Sequence, residues 1–135
     1  AYIEQGIRNV MVKTFFFNMA DYFQKADLII SRAGATTVAE LIASRKASLL
    51  IPFSGAADNH QMHNAKELEN IQGAEIITEE KFTPELFSGK IIRFMENKTR
   101  LNQMEKNLNI LRKTGAAEKI SDLCFELMQK KTWSD

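Results

Sequence analysis

The chain has a single cysteine, Cys124, in 135 residues. One thiol excludes an internal disulfide and offers no cysteine pair for structural zinc, which fits a reducing compartment. Excess charge is missing too: 18 Lys and Arg stand against 17 Asp and Glu, a formal net charge of +1. Neither a nucleic-acid footprint nor an acidic tail is indicated. No apolar run approaches the roughly 18 residues of a membrane-spanning helix, and no signal segment opens the chain. Glycine is sparse, with six residues, and no G-x-G-x-x-G with a downstream acidic residue is present, which argues against a dehydrogenase. His60 and His63 share no face with two further ligand-type residues, so no metal site is expected. No Ser-His-Asp, Cys-His or paired-carboxylate arrangement is evident.

What is present is the composition of an ordinary soluble domain, 44% hydrophobic and 26% charged. The length suits one core rather than two. The opening Ala1, with no methionine before strand-like sequence, reads either as a processed start or as a piece of something longer.

Apolar patterning alternates between two periods. Residues 9–16 (NVMVKTFF) are β-branched and aromatic and predict a strand. Residues 18–26 predict a short helix. Residues 27–31 (DLIIS) form a brief apolar strand of the kind buried on both faces of a parallel sheet. Residues 36–46 predict a helix with Val38, Leu41 and Ile42 on one face. A second buried strand spans 47–53 and is closed by Pro52. After a polar loop, a helix over 59–71 turns Met62, Ala65, Leu68 and Ile71 inward. Another short strand covers 74–78.

From Phe82 onward only helical stripes appear: Phe87, Ile91 and Phe94, then Leu101, Met104, Leu108 and Leu111, then, beyond Gly115, Ile120, Leu123 and Leu127. Cys124 lies on the last stripe and reads as a core residue. Lys130 and Lys131 read as a solvated helix end, and Trp133 as either a tail residue or a docking contact. There is no internal repeat and no low-complexity linker. Strand alternating with helix implies an α/β fold: a Rossmann-like parallel sheet, right-handed crossovers, helices on both faces and a helical C-terminal tail. Strand order is not legible.

In open α/β sheets ligands bind beyond the carboxyl ends of the strands, and two strand-to-helix joints stand out. In the first, Arg32-Ala33-Gly34-Ala35-Thr36-Thr37 follows DLIIS. Gly34 lets backbone approach a ligand closely, and free N–H groups at the positive helix end suit a phosphate. The competing reading is local: Thr37 and Glu40 stand at capping-box spacing, each able to satisfy the other's backbone N–H. In the second, Asp58-x-x-Gln61 is again a cap with glutamine three residues on, while Asn59, His60 and Gln61 together suit a hydroxyl-rich ligand.

The run R-A-G-A-x-T-x-x-E at 32–40 and the run D-x-H-Q-x-x-N-A at 58–65, with the GAEIITEEKFTPELF passage from Gly73, resemble the carboxyl-terminal domain of the MurG family. The likeness extends from the strand at Asn9 to near Lys131. The resemblance implies a two-domain GT-B fold whose carboxyl-terminal half binds a nucleotide sugar. Residues 1–135 would be an incomplete donor-binding domain, lacking its first strand and the acceptor domain.

The implied function is binding of UDP-N-acetylglucosamine for inverting transfer to a lipid-linked muramoyl-pentapeptide in peptidoglycan synthesis. The resemblance places the backbone of Phe16 at the uracil edge, Ala35, Thr36, Thr37, Val38 and Ala39 at the pyrophosphate, Glu40 at the ribose hydroxyls, and Gln61 with His60 at the sugar. It assigns no catalytic base in this chain, no cofactor and no metal. The lipid-linked acceptor and the membrane surface would be met through the absent domain. The setting implied is the cytoplasmic face of a bacterial inner membrane, held peripherally. The alternative is a stand-alone nucleotide-sugar-binding or partner-docking subunit without chemistry of its own.

Overall fold

A computed structural model of the chain describes residues 9–55 and 59–111. The expected cap residue Asp58 and everything from residue 112, including Gly115, Cys124, Trp133 and the expected helical tail, lie outside the described residues.

Three short strands pair in parallel in the order β1-β2-β3: β1 (Ile29–Ser31), β2 (Ser48–Leu50) and β3 (Ala74–Ile76). Ile30 is registered on Leu49, and Leu49 on Glu75. Spatial order follows chain order, because each crossover is one helix: α2 (Ala35–Ser44) joins β1 to β2, and α3 (His60–Asn70) joins β2 to β3. Helix α1 (Met19–Lys25) precedes β1, while α4 (Pro84–Glu96) and α5 (Lys98–Asn107) follow β3.

Successive strand residues point to opposite faces, and β2 divides the core accordingly. Leu50 packs with Phe23 of α1, Val38 and Leu41 of α2, and Ala65 and Leu68 of α3. Leu49 faces the other way, onto Phe94 of α4 and Leu101 and Met104 of α5. Both leucines are fully buried. Helices therefore cover both faces, as the alternating pattern implies.

Two expected features differ. Residues 9–16 contain no strand. β-Branched and aromatic residues favour a strand only where a partner and a packed face exist, and here Val12 is 72% exposed. The aromatics of this segment pack locally instead: Phe15 on Phe17 with ring centroids 5.1 Å apart, and Phe16 edge-on to Tyr22 at 4.6 Å. Nor is β1 buried on both faces. It is an edge strand among the described residues, and Ile30 is 45% exposed on the face that Leu49 shares.

The helices also end sooner than their apolar periodicity. Arg45 closes α2 in the left-handed region (φ 55°), and the Lys46 N–H returns to the Leu41 carbonyl at 3.2 Å. Gln72 (φ 57°) and Gly73 repeat the device after α3, with the Gly73 N–H on the Leu68 carbonyl at 2.8 Å. Glycine usually takes the left-handed position; with Arg and Gln there instead, sequence carries no stop signal. Gly73 is required for another reason: a Cβ on it would lie 2.7 Å from Leu108 Cδ2 and 3.0 Å from its Cγ. Leu108 is fully buried and has nowhere to retreat. Gly73→Ala should therefore cost about 1–3 kcal/mol as an overpacking change, read as a lower urea midpoint. An unchanged midpoint would show that Leu108 repacks freely.

Candidate functional site

Parallel strands bring every strand-to-helix joint to one edge of the sheet, and the way each helix starts there distinguishes the joints. The first N–H groups of any helix lack an intrahelical partner. Helix α4 satisfies one through its own cap: Thr83 Oγ1 accepts from Leu86 N at 3.1 Å, and Pro84 removes another donor. Helix α5, which begins directly after α4 rather than at a strand-to-helix joint, does likewise, with Asn97 Oδ1 accepting from Arg100 N at 2.9 Å. Among the described residues, the N-caps of α1 (Asn18), α2 (Gly34) and α3 (Asn59) make no side-chain cap.

At α2 the N-cap is Gly34, and the first helical bond runs from Val38 N to Gly34 O at 2.9 Å. The capping-box reading of Thr37 and Glu40 is thereby corrected. The helix begins directly after Gly34, so Thr37 is already its third residue and cannot cap it. Ala35, Thr36 and Ala39 are exposed, Thr37 half-buried and Val38 buried. Glu40 is exposed, and its carboxylate makes no hydrogen bond or ion pair with the described residues. Gly34 has an ordinary φ of −64°. A Cβ there would meet only Thr37 Oγ1, at 4.0 Å, so neither conformation nor packing demands glycine.

At α3 the N-cap is Asn59, in the left-handed region at φ 55°. His60 is exposed and Gln61 half-buried. Gln61 Oε1 accepts from Phe53 N at 2.9 Å, tying the helix start to the end of the β2 segment. One turn on, Asn64 Nδ2 donates to Ala33 O at 3.0 Å, joining α3 to the loop before α2. The two mouths are thus physically coupled. Phe16 stands apart before α1, half-buried, with Lys13 Nζ 5.6 Å from its ring centre. Among the described residues, no hydrogen bond or ring contact links it to either mouth.

A further group of residues at this edge was given no role by the sequence. Arg32 Nη1 donates to Ile51 O at 3.1 Å and to Glu79 Oε1 at 2.5 Å, and its guanidinium lies 5.7 Å from the Phe53 ring centre. Glu79 Oε2 accepts from Ser54 N at 2.9 Å and from Ser54 Oγ at 2.5 Å. Hydrogen bonds from the Ser54 hydroxyl and N–H, then from Arg32, pull the Glu79 carboxyl down to about 2 from an ordinary 4.5. On the β3 edge, Glu75 pairs with Lys90 and Arg100. Burial raises its pKa, but the bonds from Lys90 and Arg100 together outweigh burial and leave it lowered. No group of three or more His, Cys, Asp or Glu among the described residues could hold a metal ion.

Residues 2–120 match the model of the glycosyltransferase family 28 C-terminal domain. The chain belongs to this family. It is 37% identical over 132 residues to the UDP-N-acetylglucosamine–N-acetylmuramyl-(pentapeptide) pyrophosphoryl-undecaprenol N-acetylglucosamine transferase of Myxococcus xanthus, covering 98% of this chain and 34% of that protein. It is 40% identical over 119 residues to the protein of the same name from Geobacter sp. strain M21, covering 88% and 32%. The crystal structure of Acinetobacter baumannii MurG matches with a TM-score of 0.76 at 34% identity, over 84% of this chain and 32% of that one. The chain spans about a third of the length of the curated relatives it matches. The fold is therefore that of the GT-B carboxyl-terminal domain which the sequence resemblance implied.

Within this family 28 domain, the described residues of the two quoted runs lie at the starts of α2 and α3. Asn64, the asparagine of the second run, is accounted for by its bond to Ala33. Replacing it with alanine should cost about 1 kcal/mol, the net value of one neutral hydrogen bond, seen as a lower urea midpoint; no change would remove it as the tie between mouths.

The Glu79 network carries a defined pH dependence. Its folded pKa lies below the ordinary 4.5, so the unfolded chain binds more protons in between, and stability falls as pH falls. The contribution is complete above about pH 4.5 and erodes toward pH 2. The melting-temperature gap between wild type and Glu79→Gln should be constant near neutral pH and close under acid. A gap that persists unchanged in acid would mean that the ionised carboxylate is not its source.

Proposed function

We propose that this chain is the donor-binding part of a two-domain glycosyltransferase and holds UDP-N-acetylglucosamine for inverting transfer to lipid-linked muramoyl-pentapeptide. The observation that carries the reading is the start of α2 on the first family run, where the Gly34 N-cap supplies no side-chain acceptor for the first N–H groups, unlike α4 at the next joint but one, which caps itself through Thr83. The names of the relatives supply the donor and the acceptor.

In this reading the N–H groups of Ala35, Thr36 and Thr37 meet the diphosphate, with Val38 and Ala39 continuing the first turns. A helix N-terminus favours such an anion through its free donors and its dipole. The space in front of Gly34 admits it closely. The Glu40 carboxylate, unengaged by the described residues, takes the ribose hydroxyls, and His60 and Gln61 take the sugar. The backbone at Phe16 reads the uracil edge. During transfer, negative charge grows on the departing UDP. Fixed N–H groups aimed at that charge lower the barrier without reorganising.

The base that activates the acceptor hydroxyl, the lipid-linked acceptor and the contact with the cytoplasmic face of a bacterial inner membrane belong, in this reading, to the amino-terminal domain of the whole protein. No helix among the described residues is long and apolar enough to cross a membrane.

Calorimetric titration of the chain with UDP-N-acetylglucosamine, UDP-glucose and ADP tests the reading. Uridine ligands should bind and ADP should not. Glu40→Ala should weaken uridine binding about tenfold or more, as expected for loss of a charge-assisted hydrogen bond. Its melting temperature should hold, since the carboxylate contributes nothing to the described fold. A lowered melting temperature with unchanged affinity would instead make Glu40 a stabilising residue. Equal binding of ADP would sink the uridine assignment.

A further inference from the structure

We infer that Glu79 is a positioning residue of the donor pocket, fixing the spacing between its phosphate and sugar halves; the inference rests on the donor-site reading above. The residue lies on the turn Glu79–Lys81 after β3, outside both runs that mark the site. Its two oxygens are divided between two loops. Oε1 takes Arg32, 47 residues away, and Oε2 takes both the N–H and the hydroxyl of Ser54, 25 residues away.

Arg32 is the last residue before Ala33 and Gly34, so it sets where the mouth of α2 begins. Ser54 follows Phe53, whose N–H holds Gln61 of α3. One carboxylate therefore grips the Arg32 side chain on the loop leading to α2 and both the backbone and the hydroxyl of Ser54 on the loop leading to α3. Arg32 also donates to the Ile51 carbonyl at 3.1 Å, so the loops after β1 and β2 already touch through Arg32, and Glu79 adds the grip on Ser54 that fixes the loop before α3 against it. Asn64 braces the mouths from the α3 side, through Ala33; Glu79 braces them from the β3 side.

The chemical consequence follows from the ligand. Diphosphate and sugar are covalently joined, so a pocket that holds both must keep its two halves at a fixed separation. A ligand with only the nucleotide half tolerates a looser separation. Preorganising the two halves raises affinity for the whole donor more than for its fragment. Loss of Glu79 should therefore fall selectively on discrimination between the whole donor and UDP. A residue that merely stabilised the fold would lower the fraction of competent chain for both ligands alike and leave their ratio untouched.

The test is calorimetric titration of wild type, Glu79→Ala and Glu79→Gln with UDP and with UDP-N-acetylglucosamine, with melting temperature followed in parallel. The preference for UDP-N-acetylglucosamine over UDP should fall about tenfold in Glu79→Ala, the size of one charge-assisted hydrogen bond. Glu79→Gln, which keeps an acceptor for Ser54 but loses the ion pair with Arg32, should lie between. If Glu79→Ala does not fold, the intermediate ratio in Glu79→Gln carries the test. An unchanged ratio in the folded variants, with wild type binding normally, overturns this inference alone. Failure of wild type to bind either uridine ligand overturns the donor-site reading, and this inference falls with it.

Discussion

The parallel pairing of β2 with both its neighbours is the constraint on which the rest depends. Ser48, Leu49 and Leu50 are wholly buried, because a strand with partners on both edges and helices on both faces meets no water. Parallel pairing needs a crossover at each step, so α2 and α3 must both start at the carboxyl edge and return to the amino edge. Strands of three residues leave little ladder to hold this arrangement. The side chains of Leu49 and Leu50 carry it instead, each anchoring a separate layer of helices. In open parallel sheets ligands bind at that carboxyl edge, where those crossovers begin.

At that edge, backbone donors and side-chain charge are arranged to different ends. Among the helices that start at a strand-to-helix joint there, α4 covers an orphan N–H group with Thr83. The N-caps Gly34 of α2 and Asn59 of α3 supply no side-chain acceptor, and two residues of α3 hold the loops, Asn64 on Ala33 before α2 and Gln61 on Phe53 before α3 itself. Uncapped donors at a rigid edge carry an electrostatic cost that an anion relieves. Rigidity matters as much as the free donors, since a site that reorganises on binding loses part of what the dipole supplies. The family 28 assignment and the open mouths point the same way from independent grounds, one from whole-chain similarity and the other from local hydrogen bonding.

Periodicity made the helices and their inner faces legible: Val38, Leu41, Ala65, Leu68, Phe94, Leu101 and Met104 are all buried as their spacing implies. It failed where burial depends on a neighbour rather than on the segment itself. Residues 9–16 have strand composition and no strand partner; Ile30 has a strand but an open face. Helix ends escaped because Arg45 and Gln72, rather than glycine, take the left-handed position. In the candidate site, the mouths were visible as joints, and the family runs named Phe16, Ala35 to Glu40, His60 and Gln61. Local spacing misled at Thr37, whose capping pattern is real in sequence but sits three residues past the N-cap Gly34. Glu79 left no trace, because its partners lie 25 and 47 residues away and no periodicity spans that separation.

Glu40 and Glu79 show how structure separates carboxylates that sequence treats alike. Both follow a strand's end, and both are within reach of the solvent at the same edge. Glu79 is spent on the fold: three donors converge on it and hold its pKa near 2, so it has little capacity left for a ligand. Glu40 carries no internal obligation among the described residues, and a helix position one turn into α2 gains little from an exposed acid there. A charged side chain that does nothing for its own fold is maintained, if at all, by something outside it. The proposed division of labour rests on this bonding: the committed carboxylate fixes the loops, and the uncommitted one is available to a ligand.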